Sequence, residues 1–185
     1  MSLTKKPVGF PRRLLSLDTG RKTGWCVSEE GKILNYGLVE LYKSGGDHCE
    51  SAPLFKLQSW LIAFRQSSGI DAVAFEQIGG GTKGAQTKYV NMYRAVIVLF
   101  GEHSNIPVVG IAPATIKKAV TGSGRADKKE MIDAIRERGY LPEDDNVADA
   151  IGCAISFWDN LDKGIYNAPT NRTERPKRRR KKPSV

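Results

Sequence analysis

Apolar positions recur at two different spacings along the chain, and each change of spacing marks a new element. Leu14, Leu15 and Leu17 form a nearly continuous apolar run broken only by Ser16, and Asp18 closes it. This predicts a buried strand over residues 12–18. After Thr19 and Gly20 the pattern resumes over residues 24–28 and again over 32–41, KILNYGLVEL. Glu29, Glu30 and Gly31 between them read as a hairpin turn. Residues 43–51 are polar and contain glycine, which predicts a loop. From Pro53 the period becomes helical, with Leu54, Leu57, Leu61 and Phe64 on one face and Phe55 and Trp60 beside it. Ser67, Ser68 and Gly69 stop that helix.

Residues 71–76, DAVAFE, are short and apolar, as in a strand buried on both faces, and they end in a second carboxylate, Glu76. A glycine-rich stretch, GGGTKG at 79–84, precedes a long helix over 85–103 with Tyr89, Met92, Tyr93, Val96, Ile97 and Phe100 as its stripe. Residues 107–111 predict a fifth strand, and 113–120 a short helix carrying Lys117 and Lys118. After a loop at 121–126, residues 127–138 form an amphipathic helix with Asp127 as N-cap, ended by Gly139. The last helix spans 146–161 and is apolar at Val147, Ala150, Ile151, Ala154, Ile155 and Trp158. The order of elements predicts an α/β fold, a mixed sheet with helices on its faces.

A chain of 185 residues can bury one good core, which predicts a single domain, and its 40% hydrophobic content is that of a soluble globular protein. No stretch approaches the ~20 apolar residues of a membrane span, so no membrane role is expected. The N-terminus has charge but no apolar core of a secretory signal, and residues 1–11 read as a loose arm with Pro7, Gly9 and Pro11. Cys26, Cys49 and Cys153 are far apart and form no CxxC pair, which argues against a disulfide framework or a zinc site and fits a reducing cytoplasm.

The net charge of +9 matters mainly for its location. Residues 171–185 hold eight basic residues against Glu174 alone, a net +7, so the other 170 residues carry only +2. Residues 163–185 are therefore expected to be a basic, disordered tail, since like charges repel and there is little to bury. Its Arg178, Arg179 and Arg180 suit a phosphate backbone, although a solubilising tail would look the same.

Two strands that end in Asp18 and Glu76 bring both carboxylates to one sheet edge if the strands are neighbours. The last helix adds Asp145 and Asp149, four apart and so on one face. Converging carboxylates repel, and a divalent cation relieves this; all-oxygen ligands select magnesium or manganese over zinc. Asp149 lies among small and apolar residues, in VADAIGCAI, where a charge is either paired or functional. Asp144 or Asp145 could instead cap the helix. GSGRADK at 122–128 runs from a glycine loop into a helix start, where backbone N–H groups, Arg125 and Lys128 could hold a phosphate, or simply face solvent.

LDTGRKTGW, AFEQ, IKKAVTGSGRADKKE and NVADAIGCAI, in that order and spacing, resemble the RuvC-type Holliday-junction resolvases of the ribonuclease H-like superfamily, over about residues 12–160. The resemblance implies a ribonuclease H-like mixed five-stranded sheet flanked by helices over residues 12–162. It implies a homodimer that nicks four-way or branched DNA in magnesium, with manganese able to substitute. Asp18, Glu76 and Asp149 would be the metal-binding catalytic carboxylates. Lys117 and Lys128 would contact DNA near the cut, Lys128 as part of the catalytic set.

Two departures stand out. Three residues before the last aspartate the family usually has an acidic residue or histidine, and this chain has Asn146, the expected fourth metal ligand. Soon after EQ the family often has a wedging aromatic, and this chain has Ile78 followed by glycines. The added basic tail looks like a bacteriophage version, acting in the cytoplasm of a bacterial host. Asp-Thr-Gly also resembles the phosphate loop of actin-like ATPases, which need two related domains, and no internal repeat is visible. A ribosomal-RNA-precursor nuclease of the same superfamily and a non-catalytic nucleic-acid-binding module are the other readings.

Overall fold

A computed structural model describes residues 11–41, 51–78 and 85–163. The expectations for the N-terminal arm, the loop before residue 51, the 79–84 stretch and the basic tail, with Arg178, Arg179 and Arg180, lie outside the described residues. Five strands form one sheet: β1 (Arg13–Asp18), β2 (Lys22–Glu29), β3 (Lys32–Glu40), β4 (Ala72–Glu76) and β5 (Val108–Ile111). The helices are α1 (Ser51–Ser68), α2 (Ala85–Ser104), α3 (Pro113–Thr121), α4 (Lys128–Glu137) and α5 (Asp145–Asp162). No helix among the described residues is long and apolar enough to cross a membrane.

The strand order is β3-β2-β1-β4-β5. The three N-terminal strands are antiparallel, while β1, β4 and β5 run parallel. Helices cover both faces. Leu14, Ala72, Ala74 and Ile111 pack toward α3, α4 and α5, and Leu15, Leu17, Val73 and Phe75 pack toward α1 and α2. The strand alternation of period 2 thus fills two cores, one on each face. The expected α/β class, a mixed five-stranded sheet flanked by helices, is the one found.

Several boundaries shift by one residue from the sequence expectation, and two shift by two. β2 begins at Lys22, not at residue 24, because Thr23 is fully buried and its hydroxyl donates to the Gly20 carbonyl at 2.9 Å across the tight β1–β2 loop. α1 begins at Ser51, where a loop residue is expected, so Pro53 falls inside the first turn, where its missing N–H costs nothing. The β2–β3 turn forms as expected, with Glu30 at φ 49° and Gly31 at φ 90°, both positive as the I′ hairpin turn requires.

The register of β1 on β4 decides where the carboxylates go. The Asp71 carboxylate accepts hydrogen bonds from the backbone N–H groups of Arg12 and Arg13, both at 2.9 Å, and pins the start of β1 to the start of β4. Leu17 then pairs with Phe75, and one step further along both strands stand Asp18 and Glu76.

The site also depends on how closely α5 lies on the sheet. Ser16 interrupts the apolar run of β1 because it faces α5, where its hydroxyl donates to the Ala150 carbonyl at 2.7 Å. At the far end of the helix the Trp158 Nε1–H donates to the Ser28 hydroxyl at 2.8 Å. At its near end α5 crosses β2 at Gly24, where a Cβ would lie 2.0 Å from the Asn146 carbonyl oxygen. Only glycine permits that approach.

Candidate functional site

Asp18 ends β1, Glu76 ends β4, and Asp149 sits in the second turn of α5. Each is half-buried, and one ligand oxygen from each lies within 4.8 Å of the others. The structure therefore brings together three carboxylates from three elements far apart in sequence. An all-oxygen donor set of this charge fits a hard divalent cation such as magnesium or manganese.

The electrostatics show the same need. Burial pushes Asp18 up from 3.8 to about 7, with Asp149 and Asp145 adding and Lys128 opposing. Burial likewise raises Glu76 from 4.5 to about 8, helped by the charges of Asp18 and Asp149. Asp149 rises from 3.8 to about 6, through burial first and the Asp145 charge second. Without a cation these three groups resist ionising together.

The shifts carry a stability consequence with a definite sign. A carboxyl whose folded pKa is raised stabilises the fold fully below its unfolded value and loses that contribution as pH rises through the folded value. In chelator the protein should thus lose stability between about pH 4 and about pH 8 through these three groups. A hard divalent cation such as magnesium, which would bind only the ionised site, should raise Tm more at the upper end of that range than at the lower. Thermal melts with and without magnesium at both ends check this. A magnesium increment independent of pH would contradict it.

Lys117 on α3 and Lys128 at the start of α4 both face this site. The charge of Lys117 favours the ionised forms of Glu76 and Asp149, and that of Lys128 those of Asp18, Glu76 and Asp149. Arg125 is exposed in the loop that leads into α4, with its backbone N–H on the Ser123 hydroxyl at 3.3 Å. Asp127 caps α4 as expected, in a full capping box with Glu130.

At the start of α5 three neighbouring polar residues have different tasks. Asp144 is the N-cap and accepts from the Val147 N–H at 3.0 Å. Of the two aspartates that could cap this helix, it is not Asp145 that does so. Asp145 forms an ion pair with Lys128. Asn146 is half-buried and its amide donates to the Asp144 carboxylate at 3.3 Å. The pairing of Asp145 with Lys128, and the role of Gly24 in seating α5, were not legible in the sequence. Both are contacts between elements, and no local period signals them.

A family model described as crossover junction endodeoxyribonuclease RuvC matches residues 14–157. The RuvC protein of Ruegeria pomeroyi is 32% identical over 147 residues, covering 77% of this chain and 88% of that protein. The RuvC protein of Thermomicrobium roseum is 35% identical over 154 residues, covering 79% and 92%. Among solved structures, Thermus thermophilus RuvC superposes with a TM-score of 0.70 at 20% identity, covering 82% of this chain and 96% of that one. The same protein in complex with a Holliday junction substrate gives 0.71 at 18% identity, covering 83% and 96%. The matched segment holds all five strands except Arg13 at the start of β1, together with Asp18, Glu76 and Asp149, and the chain belongs to the RuvC family of crossover junction endodeoxyribonucleases.

Proposed function

We propose that the protein is a magnesium-dependent, structure-selective endonuclease that nicks four-way or other branched DNA junctions. The observation that carries this reading is the meeting of Asp18, Glu76 and Asp149 within 4.8 Å, on the fold of a family named for crossover junction cleavage. Magnesium at these residues, or manganese in its place, would supply Lewis-acid stabilisation and an activated water for phosphodiester hydrolysis. The chain's own residues do the rest. The three carboxylates would hold the cations and stay ionised around them. Lys117 and Lys128 stand at the site's edge, where a phosphate would meet them, and Arg125 extends the basic surface along the loop into α4. Arg178, Arg179 and Arg180 add sequence-independent attraction to the DNA backbone. A homodimer would present two such sites to the two strands cut in a symmetric junction. A four-way junction should be nicked in magnesium or manganese and stay intact in chelator.

Asn146 is the fourth ligand in this reading. It lies three residues before Asp149 and so on the same side of α5. Its amide oxygen can ligate a cation while its amide nitrogen donates to Asp144. Asn146→Ala should raise the magnesium needed for half-maximal nicking by roughly tenfold. Asn146→Asp should nick at least as well as wild type at low magnesium. Magnesium titrations of the nicking rate check both, and a normal requirement in Asn146→Ala would remove Asn146 from the site.

A further inference from the structure

We propose that Asp145 is a positioning residue, which holds the Lys128 ammonium at the mouth of the three-carboxylate site for an incoming phosphate. The inference rests on the nuclease reading above and deepens it.

Lys128 is the first residue of α4, and its side chain is 76% exposed on a flexible stem. Its neighbour Lys129 has an ion-pair partner on its own helix, Asp133 at 3.7 Å. Lys128 takes its partner from another helix, Asp145 at the first position of α5. Asp145 lies one turn before Asp149 and on the same side of α5, so the helix that carries a site carboxylate also carries the tether.

Stability is a weak reason for such a pair. An exposed ion pair adds little stability, because water and salt screen it and two side chains must be held in place. The helix start does not need Asp145 either, because Asp144 already caps it. Nor does Asp145 stand among the carboxylates whose oxygens approach within 4.8 Å of one another. What the pair does achieve is placement. The ammonium is held where its charge reaches Asp18, Glu76 and Asp149. An ammonium has three donors, so it can keep one on Asp145 and offer another to a phosphate oxygen. A lysine already held there loses less side-chain freedom when the substrate arrives.

The test is a mutant cycle on the full-length protein. Nicking of a four-way junction is followed in magnesium with enzyme in excess, for wild type, Asp145→Ala, Lys128→Ala and the double variant. Junction binding is measured in chelator. Asp145→Ala should nick about tenfold more slowly, with junction affinity changed by no more than about twofold, because a misplaced lysine costs rate more than binding. The double variant should be no slower than Lys128→Ala, since residues that act through one another are not additive. Asp145→Glu should recover most of the rate.

A full additional loss on adding Asp145→Ala to Lys128→Ala would overturn the inference, and would mean that Asp145 acts on the cations directly. A wild-type rate in Asp145→Ala would overturn it as well, whatever happens to Tm. If wild type nicks no junction, the nuclease reading itself has failed. The placement is then read from the Lys128 ammonium signal by NMR, which should sharpen only when Asp145 is present, and an unchanged signal in Asp145→Ala would refute it.

Discussion

Asp18→Asn protein is expected to bind a four-way junction as tightly as wild type and to fail to nick it. Asp18 is the residue on which the site converges. It ends the central strand β1, stands beside Glu76 through the β1–β4 register, and meets Asp149 from α5. Asparagine keeps the shape of the side chain and removes its charge, so the site loses a third of its carboxylates without a cavity. If Asp18 holds a catalytic cation as proposed, its loss should cost at least about 10³-fold in rate, since such a cation would supply most of the transition-state stabilisation. Affinity should hold, because it comes mainly from phosphate contacts by residues outside the triad. The variant should also melt higher than wild type in chelator at pH near 8, because it no longer forces a buried carboxyl to ionise there. Cleavage at the wild-type rate in magnesium would remove Asp18 from the catalytic set.

Gly24→Ala should damage both the fold and the activity. The added Cβ would lie 2.0 Å from the Asn146 carbonyl oxygen, 2.3 Å from its carbon and 2.8 Å from the Val147 nitrogen. All three are backbone atoms, so no side chain can rotate out of the way. The first turn of α5 would have to lift off β2, taking Asn146 with it and tilting Asp149 away from Asp18. The cost should be about 3 kcal/mol or more, at the upper end for overpacking a core. A displacement of about 1 Å at the site should also slow nicking by roughly 10²-fold in the protein that remains folded. Denaturant unfolding and single-turnover nicking below the melting transition separate the two effects. A Gly24→Ala protein of normal stability would show that α5 is not seated on β2 as described.

Much of this architecture was readable in the residues, for identifiable reasons. The strand DAVAFE announced itself because a strand buried on both faces has no polar alternation, and its end at Glu76 was marked by the first charge after the run. Asp149 stood out because a charge among alanines, glycine and isoleucines needs a partner. Asp127 was readable as an N-cap because it directly precedes an amphipathic run, and it caps α4. The β2 boundary was less readable, because Lys22 and Thr23 are polar, yet Lys22 pairs with Glu40 at the strand end and Thr23 is buried with its hydroxyl satisfied locally. Ser16 looked like an interruption and is a contact, since its hydroxyl finds a carbonyl of α5 more than a hundred residues away. The division of labour among Asp144, Asp145 and Asn146 depends on which helix lies opposite each one. That is a property of packing between α4, α5 and the sheet, and one-dimensional spacing does not encode it.

Action of the carboxylate site on branched DNA is checked by presenting the full-length protein, in magnesium, with a four-way DNA junction, a linear DNA duplex of the same sequence and a structured RNA, and measuring strand cleavage of each. Paired nicks in the four-way junction, intact duplex and RNA, and no cleavage of any substrate by Asp18→Asn are expected. Preferential cleavage of the RNA, or junction cleavage that survives Asp18→Asn, would contradict it.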